Sequence, residues 1–272
     1  VTAAVSFNTG GIITLVSSIA NTARVAQLTL NPTITGNVNI ERYLPNAGRK
    51  WRLLTAPVKG SSNNSVYFNW QNNGVSITGY GTDIWGPSGN LVSNGLQLIN
   101  NSSHSLRKFN NTTGTWSNVT NTFNEPLFGG SINYGFLIFA THPFGNATDG
   151  NGNVNPINPQ ITTTLKASGA LITGNVVYSN VSPNTYYLVG NPYASPIDFA
   201  SILNDASNSG IGKKIWYIDP TLGSYGAYVT WDSVNGYSET DSTRYPSTIL
   251  QSGEAFFIKA ATSTSTLTIK ET

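Results

Sequence analysis

The sequence predicts an all-β protein made of two related antiparallel β-sandwich halves of jelly-roll type. Three observations support this. Val, Ile, Thr and aromatic residues recur in short runs separated by Gly, Asn and Pro, a composition of strands and turns. The runs return about every 8–12 residues, the spacing of sandwiches and barrels. One ordered set of motifs occurs twice, the signature of an internal repeat.

Residues 1–30 form a leading segment. Val1, Ala3, Val5 and Phe7 alternate with Thr2, Ala4 and Ser6, a strand period with one apolar face. Residues 1–23 contain no Lys or Pro, the residues that usually block a sheet edge. This strand is expected to pair within its own first half, or to complete the sheet of another copy and act as a self-assembly strand.

The first half is placed at 31–155 and the second at 156–272. Ile34-Thr35-Gly36-Asn37-Val38 returns as Ile172-Thr173-Gly174-Asn175-Val176. The apolar run 51–58 is matched by 186–192, followed by Ser195-Pro196-Ile197. Residues 109–116 and 218–225 each read as strand, Gly-containing turn and aromatic strand, which is a hairpin. Gly135-Phe136-Leu137-Ile138-Phe139-Ala140 is matched by Ala255-Phe256-Phe257-Ile258-Lys259-Ala260. The first half also carries an insertion-like stretch rich in Asn, Gly and Ser, about 59–104. Gly, Asn and Pro crowd together over 144–159, where the boundary is expected. Only 199–206 reads as a helix, with Asp198 as its N-cap.

Composition excludes several functions. Charged residues are 10% of the 272, against about 25% in an ordinary soluble domain. Asn, Thr and Ser supply 33, 32 and 29 residues, so the surface is polar but uncharged. Fourteen basic residues against 12 acidic ones do not make the dense cationic footprint of a nucleic-acid binder. No apolar run approaches the roughly 18 residues of a membrane-spanning helix. Cys is absent, which removes disulfides, thiolate nucleophiles and Cys-ligated metals. Met is absent too, so the chain is read as a processed or excised piece.

Candidate chemistry is sparse. The two histidines, His104 and His142, have no Gly-x-Ser-x-Gly partner motif. Asp232, Glu239 and Asp241 lie close together and could serve as the paired carboxylates of a glycoside hydrolase. The other reading is a hairpin loop capped by Asp232. Asp149, Asn151 and Asn153 place oxygen-bearing side chains at alternate positions, as calcium loops do, but no closing Glu follows. Calcium is the one cofactor the sequence offers, and an Asn/Gly turn is the alternative. Trp70, Trp85, Trp116 and Trp231 sit beside Asn/Gly-rich turns. Of these, Trp85 and Trp231, with Tyr237, are candidates for stacking on a ligand; the alternative is that the rings fill the core. Trp51 and Trp216, inside apolar runs, are expected in the core. Arg42, Arg49, Lys50 and Arg52 form a basic cluster that reads as a solvated face or an anionic-polysaccharide patch.

The segment 34–58, with Glu41-Arg42-Tyr43-Leu44-Pro45 and Trp51-Arg52-Leu53-Leu54-Thr55-Ala56-Pro57-Val58, resembles a module of large secreted proteins of Bacteroidetes. Tyr187-Leu188-Val189-Gly190-Asn191-Pro192-Tyr193 followed by Ser195-Pro196-Ile197-Asp198 is its second hallmark. The resemblance covers about residues 22–270. It implies export by type IX secretion and an extracellular or cell-surface location, and carries no catalytic residues. The sorting domain that usually follows such a module is missing from this sequence.

The expected function is therefore a non-enzymatic, extracellular structural or adhesive module, self-assembling into a filament or surface layer. Its partners would be copies of itself or other surface proteins. A carbohydrate-binding module using exposed aromatics is the alternative, with polysaccharide as partner, and a glycan-active hydrolase is the third reading. Neither nucleic acid nor membrane insertion is expected.

Overall fold

The computed structural model describes residues 7–8, 10–28, 34–45, 50–99, 102–130, 132–145, 162–234 and 248–271. It is all-β. The leading segment contributes β1 (Phe7–Asn8) and β2 (Ile13–Leu15). Ten strands follow up to residue 171: β3 (Ile34–Thr35), β4 (Asn37–Leu44), β5 (Lys50–Leu54), β6 (Val58–Lys59), β7 (Trp85–Gly86), β8 (Gln97–Leu98), β9 (Leu106–Asn110), β10 (Thr115–Asn118), β11 (Phe136–Ala140) and β12 (Thr163–Leu171). A one-turn helix, α1 (Val66–Asn69), lies between β6 and β7. The rest of the chain forms β13 (Val176–Val181), β14 (Tyr187–Gly190), β15 (Ile197–Asp198), α2 (Phe199–Asn204), β16 (Lys214–Asp219), β17 (Ala227–Asp232), β18 (Ile249–Leu250), β19 (Ala255–Ile258) and β20 (Ser265–Ile269).

Two four-stranded antiparallel sheets organise the molecule, ordered β10-β9-β11-β5 and β17-β16-β19-β14. Read by chain position, the two orders are the same: second hairpin strand, first hairpin strand, late strand, early strand. The repeated motifs occupy matching places. Leu54 pairs with Phe136 in one sheet, and Val189 pairs with Phe256 in the other. Gly36 and Gly174 both take positive φ, 92° and 75°, at the turn that opens each set of strands. In the two hairpin loops, Asn110 Oδ1 accepts from the Thr112 amide and Asp219 Oδ1 from the Thr221 amide.

Each sheet covers an apolar core against further strands. The first core, which includes Leu54, Phe136, Ile138 and Leu106, packs on Val38, Ile40, Leu165 and Leu171 of the sheet β2-β4-β12-β6. The stretch 59–104 joins it through Trp70, Ile84 and Leu96. The second core sets Val189, Ile215, Phe256 and Ile258 against Tyr178 and Val176 of β13, and Leu267 and Ile269 of β20. Helix α2 starts where the sequence predicts, with an Asp198 carboxylate oxygen accepting from the Ala200 amide at 3.0 Å. Helix α1, which the sequence analysis did not predict, has Ser65 as its N-cap.

The outer faces of the two four-stranded sheets pack on each other. Strand alternation places Leu53, Leu137, Leu188, Ala255 and Phe257 in this third cluster, with Trp51, Phe109, Trp116, Trp216 and Ile218 at its margins. Phe257 lies at its centre, with Phe109 at 4.9 Å and Trp116 at 5.9 Å, both edge-on. Gly135 permits the close approach: a Cβ there would lie 2.4 Å from the Ala255 Cβ.

The edges join as well. On the outer edge of β5, the Trp51 amide donates to the Tyr225 carbonyl at 2.8 Å and the Thr55 amide to Gly253 at 2.9 Å. On the outer edge of β14, the Gly190 amide donates to the Asn133 carbonyl at 3.2 Å. The Asn111 side chain meets Leu188 from both sides, accepting from its amide at 2.7 Å and donating to its carbonyl at 3.0 Å. A side-chain amide here replaces a neighbouring strand.

The leading segment crosses both bodies. Ile13–Leu15 pairs in parallel with Val38–Ile40, and Phe7–Asn8 with Ile34–Thr35. A tight hairpin then turns at 18–21, and the Val25 amide reaches the Ala194 carbonyl at 3.0 Å. Of the expected self-assembly strand, Val1, Ala3 and Val5 lie outside the described residues, and the backbone of Phe7 pairs within its own chain.

Three tyrosines around the second core carry hydroxyls bonded to main-chain carbonyls. Tyr178 donates to Gly190 at 2.7 Å and Tyr187 to Ser179 at 2.9 Å. The Tyr193 hydroxyl lies within bonding distance of Gly174 and Ile269. Burial first, then neighbouring phenols or Glu271, raises all three well above the ordinary tyrosine value of 10.0. Since the folded values are the higher ones, their stabilising contribution is complete below about pH 10 and is lost as pH rises past it. In an alkaline titration followed by tyrosinate absorbance and circular dichroism, these three should ionise only with unfolding. Titration of all 13 tyrosines as one class in a folded protein would contradict this.

A second prediction concerns the contact of the sheets. Gly135→Ala should destabilise by about 1–3 kcal/mol through overpacking. In urea unfolding, Gly135→Ala combined with Ala255→Gly should cost less than the sum of the two single changes. Strict additivity would mean that these backbones do not meet there.

Candidate functional site

The structure places Trp85, Trp231 and Asp232 in supporting roles. Trp85 is 3% exposed and Trp231 8%, so neither offers a ring face to a ligand. Trp85 packs edge-on against Phe139 at 5.9 Å, in a small cluster with Ile99. Trp231 pairs with Ile215 and points into the second core. Tyr237 lies outside the described residues, as do Glu239, Asp241 and the expected calcium ligands Asp149, Asn151 and Asn153. Among the described residues, no three His, Asp or Glu side chains are grouped to hold a metal. Among the described residues, no helix is long and apolar enough to cross a membrane.

Two members of the basic cluster, Arg42 and Lys50, join the two bodies. Arg42 Nη2 contacts Glu254 at 2.6 Å, and Lys50 Nζ donates to the Gly223 carbonyl at 2.8 Å. Arg52 is buried and donates to the Pro45 carbonyl at 3.1 Å. Desolvation first, then the Arg42 charge, lowers it to about 10. Arg49 lies outside the described residues.

The acidic side chains are similarly engaged. Of 12 in the sequence, Asp149, Glu239 and Asp241 are not described. Each of the remaining nine accepts a hydrogen bond that holds the fold. Glu41 accepts from the Ser17 amide and the Tyr80 hydroxyl, tying the leading segment to the first body. Asp83 accepts from the Gln97 side chain and the Gly145 amide, and its other oxygen lies 3.0 Å from His142 Nδ1. Glu125 pairs with Lys108. Asp198 caps α2, and Asp205 accepts from the Ser207 amide. Asp219 and Asp232 close Asx turns to Thr221 and Val234. Glu254 accepts from the Gln251 amide, and Glu271 from Gly174. Asp205 is held well below the ordinary carboxylate range by the Lys270 ammonium first, then by Ser207. Donors aimed at a carboxylate favour its ionised form.

Exposed aromatic surface appears elsewhere. The β14-β19-β16-β17 register sets Leu188, Phe257, Trp216 and Thr230 in one row across the sheet. The next row on the same face, one step outward, is Tyr186, Lys259, Lys214 and Asp232. The opposing sheet covers Leu188 and Phe257 and leaves part of the outer row open, although Asp232 is buried. Tyr186 is 42% exposed, and the Lys214 side chain 39%. Tyr186 meets Trp216 edge-on at 5.0 Å, and Lys259 Nζ sits 4.2 Å from the Tyr186 ring centre. Trp116, half-buried, flanks Phe257 from the other sheet. Sequence analysis missed this shelf because Trp216 sits in an apolar run that reads as core. The one available signal was Tyr186-Tyr187, adjacent rings on a strand that must face opposite sides.

A cleft of about 430 Å³ lies between the leading segment and the second body. Arg24 and Gln27 form one wall; Tyr193, Ser195, Ser201 and Lys270 contribute to the other. Lys270 is paired with Asp205 at 2.6 Å. Val25 and Ala26 on one wall and Pro196, Ile197 and Ile202 on the other make the lining partly apolar. Comparison with protein-family models, characterised proteins and solved structures finds no match to this chain.

Proposed function

We propose that this chain is a non-catalytic structural and adhesive β module of an exported cell-surface protein, built from two equivalent halves. The observation that carries this reading is the use of its acidic side chains. Charge is scarce, and the described carboxylates are spent on caps, turns, straps, ion pairs and joins between the bodies. A glycoside hydrolase sets two carboxyl groups facing each other across a cleft. A surface module has no such need, and gains from a fold whose polar groups are satisfied internally.

Location rests on the resemblance of residues 34–58 and 187–198 to the secreted Bacteroidetes module, and on a surface of amides and hydroxyls that salt barely screens. Assembly into a filament or surface layer belongs to the same reading. Its supporting observation is an apolar group on the leading segment, with Ile12, Val16 and Ile19 at 69%, 53% and 83% exposure. Glycan-active hydrolysis has less support, since Asp232 bonds the Val234 amide and contacts Lys214 at 3.2 Å.

Incubation with a broad panel of polysaccharides should release no reducing ends. Release that is abolished by Asp232→Asn, in a variant that melts like the parent protein, would overturn the proposal.

A further inference from the structure

We infer that the open end of the β14-β19-β16-β17 face binds an acidic saccharide chain, one carrying uronate carboxylates. The inference goes beyond the structural reading and does not depend on it. Three features of the shelf support it.

The first is ring exposure without a covering element. Where the opposing sheet stops, the face continues for one more row, so Tyr186 and the rim of Trp216 meet solvent beside buried Phe257. Aromatic rings fixed by edge-on neighbours present rigid apolar surface at low entropic cost. The C–H face of a pyranose matches that surface, and its hydroxyls remain free for water or side chains.

The second is charge. Two lysines, Lys259 and Lys214, stand in adjacent strands of the outer row, and the row holds a single carboxylate, Asp232. Asp232 contacts Lys214 at 3.2 Å. Lys259 has no ion pair among the described residues; its ammonium lies over the Tyr186 ring instead. An ammonium over a ring that could stack is a contact a ligand can replace. As a sugar ring takes the Tyr186 face, Lys259 turns to the carboxylate of that sugar, exchanging a cation–π contact for a charge-assisted hydrogen bond.

The third is scale. Only 26 of 272 residues are charged, so one uncompensated cation beside two rings is a distinct local feature. It is far too little for nucleic acid, which needs a continuous basic track. It suits a polymer with one carboxylate per sugar.

The probe is an oligomer of galacturonic acid, with a neutral galactose oligomer beside it, titrated calorimetrically into the full chain. The acidic oligomer should bind, and added salt should weaken it. Lys259→Gln should weaken acidic binding about tenfold and leave any neutral binding unchanged, the loss expected for one charge-assisted contact. Tyr186→Ala, at an exposed position, should weaken both. Trp216→Ala should do the same, with its melting point measured alongside because the ring is half-buried. Tyr225→Ala, an exposed ring at the far end of β16, should change nothing. Equal affinity for both oligomers, no binding of the acidic one, or binding indifferent to Lys259→Gln and Tyr186→Ala would overturn the inference. Self-association abolished by Tyr186→Ala in the absence of sugar binding would assign the shelf to a second copy of the chain and overturn it equally.

Discussion

The molecule is organised around two open sheet edges, those of β5 and β14. An unpaired edge strand is a template for aggregation, and most sheets block it with Lys, Pro or a bulge. A chain with 10% charged residues has few lysines to use for this. Here each body closes the edge of the other. Thr55 bonds to Gly253, and Gly190 bonds to Asn133. These two contacts are equivalent in the register of the two sheets, because Thr55 follows Leu54 as Gly190 follows Val189, and Asn133 and Gly253 each lie three residues before their paired Phe. The arrangement has the reciprocity of a two-fold dimer interface within a single chain. The aromatic cluster around Phe257, the Arg42–Glu254 pair and the Asn111 bracket on Leu188 all lie along this join.

That constraint explains what the sequence could and could not show. The hairpins at 109–116 and 218–225 were legible, because Gly, Asn and Asp at turns act locally. The capped start of α2 was legible for the same reason. Side-chain direction was not. In β14 and β19 all four residues are buried, and β5 and β11 are covered on both faces. A strand buried on both faces loses the polar–apolar alternation that tells inside from outside. The sequence pointed Trp231 toward a ligand and Trp216 into the core; the structure does the reverse, with Trp231 in the second core and Trp216 bordering an open shelf. The parallel pairing of the leading segment was equally hidden, since Val38–Ile40 gives no local sign of a second partner.

Function follows from how scarce charge is deployed. The acidic side chains hold turns, caps and joins, and two members of the basic cluster that looked like a ligand patch bind one body to the other. This left the sites illegible in sequence: a run such as Arg42, Arg49, Lys50 and Arg52 carries no mark of whether its partner is a polysaccharide or the same chain two hundred residues on. The exposed aromatic row is the exception: there the Lys259 ammonium lies over the Tyr186 ring and has no ion pair among the described residues.

The most direct test of the central claim is equilibrium unfolding in urea, followed by hydrogen exchange at peptides from 50–59, 136–145, 186–194 and 253–260. If each body closes the edge of the other, all four peptides lose protection in one coincident transition, as expected for a single cooperative unit. Loss of protection from 50–59 and 136–145 at a urea concentration where 186–194 and 253–260 stay protected, or the reverse, would show two independent domains and contradict the account.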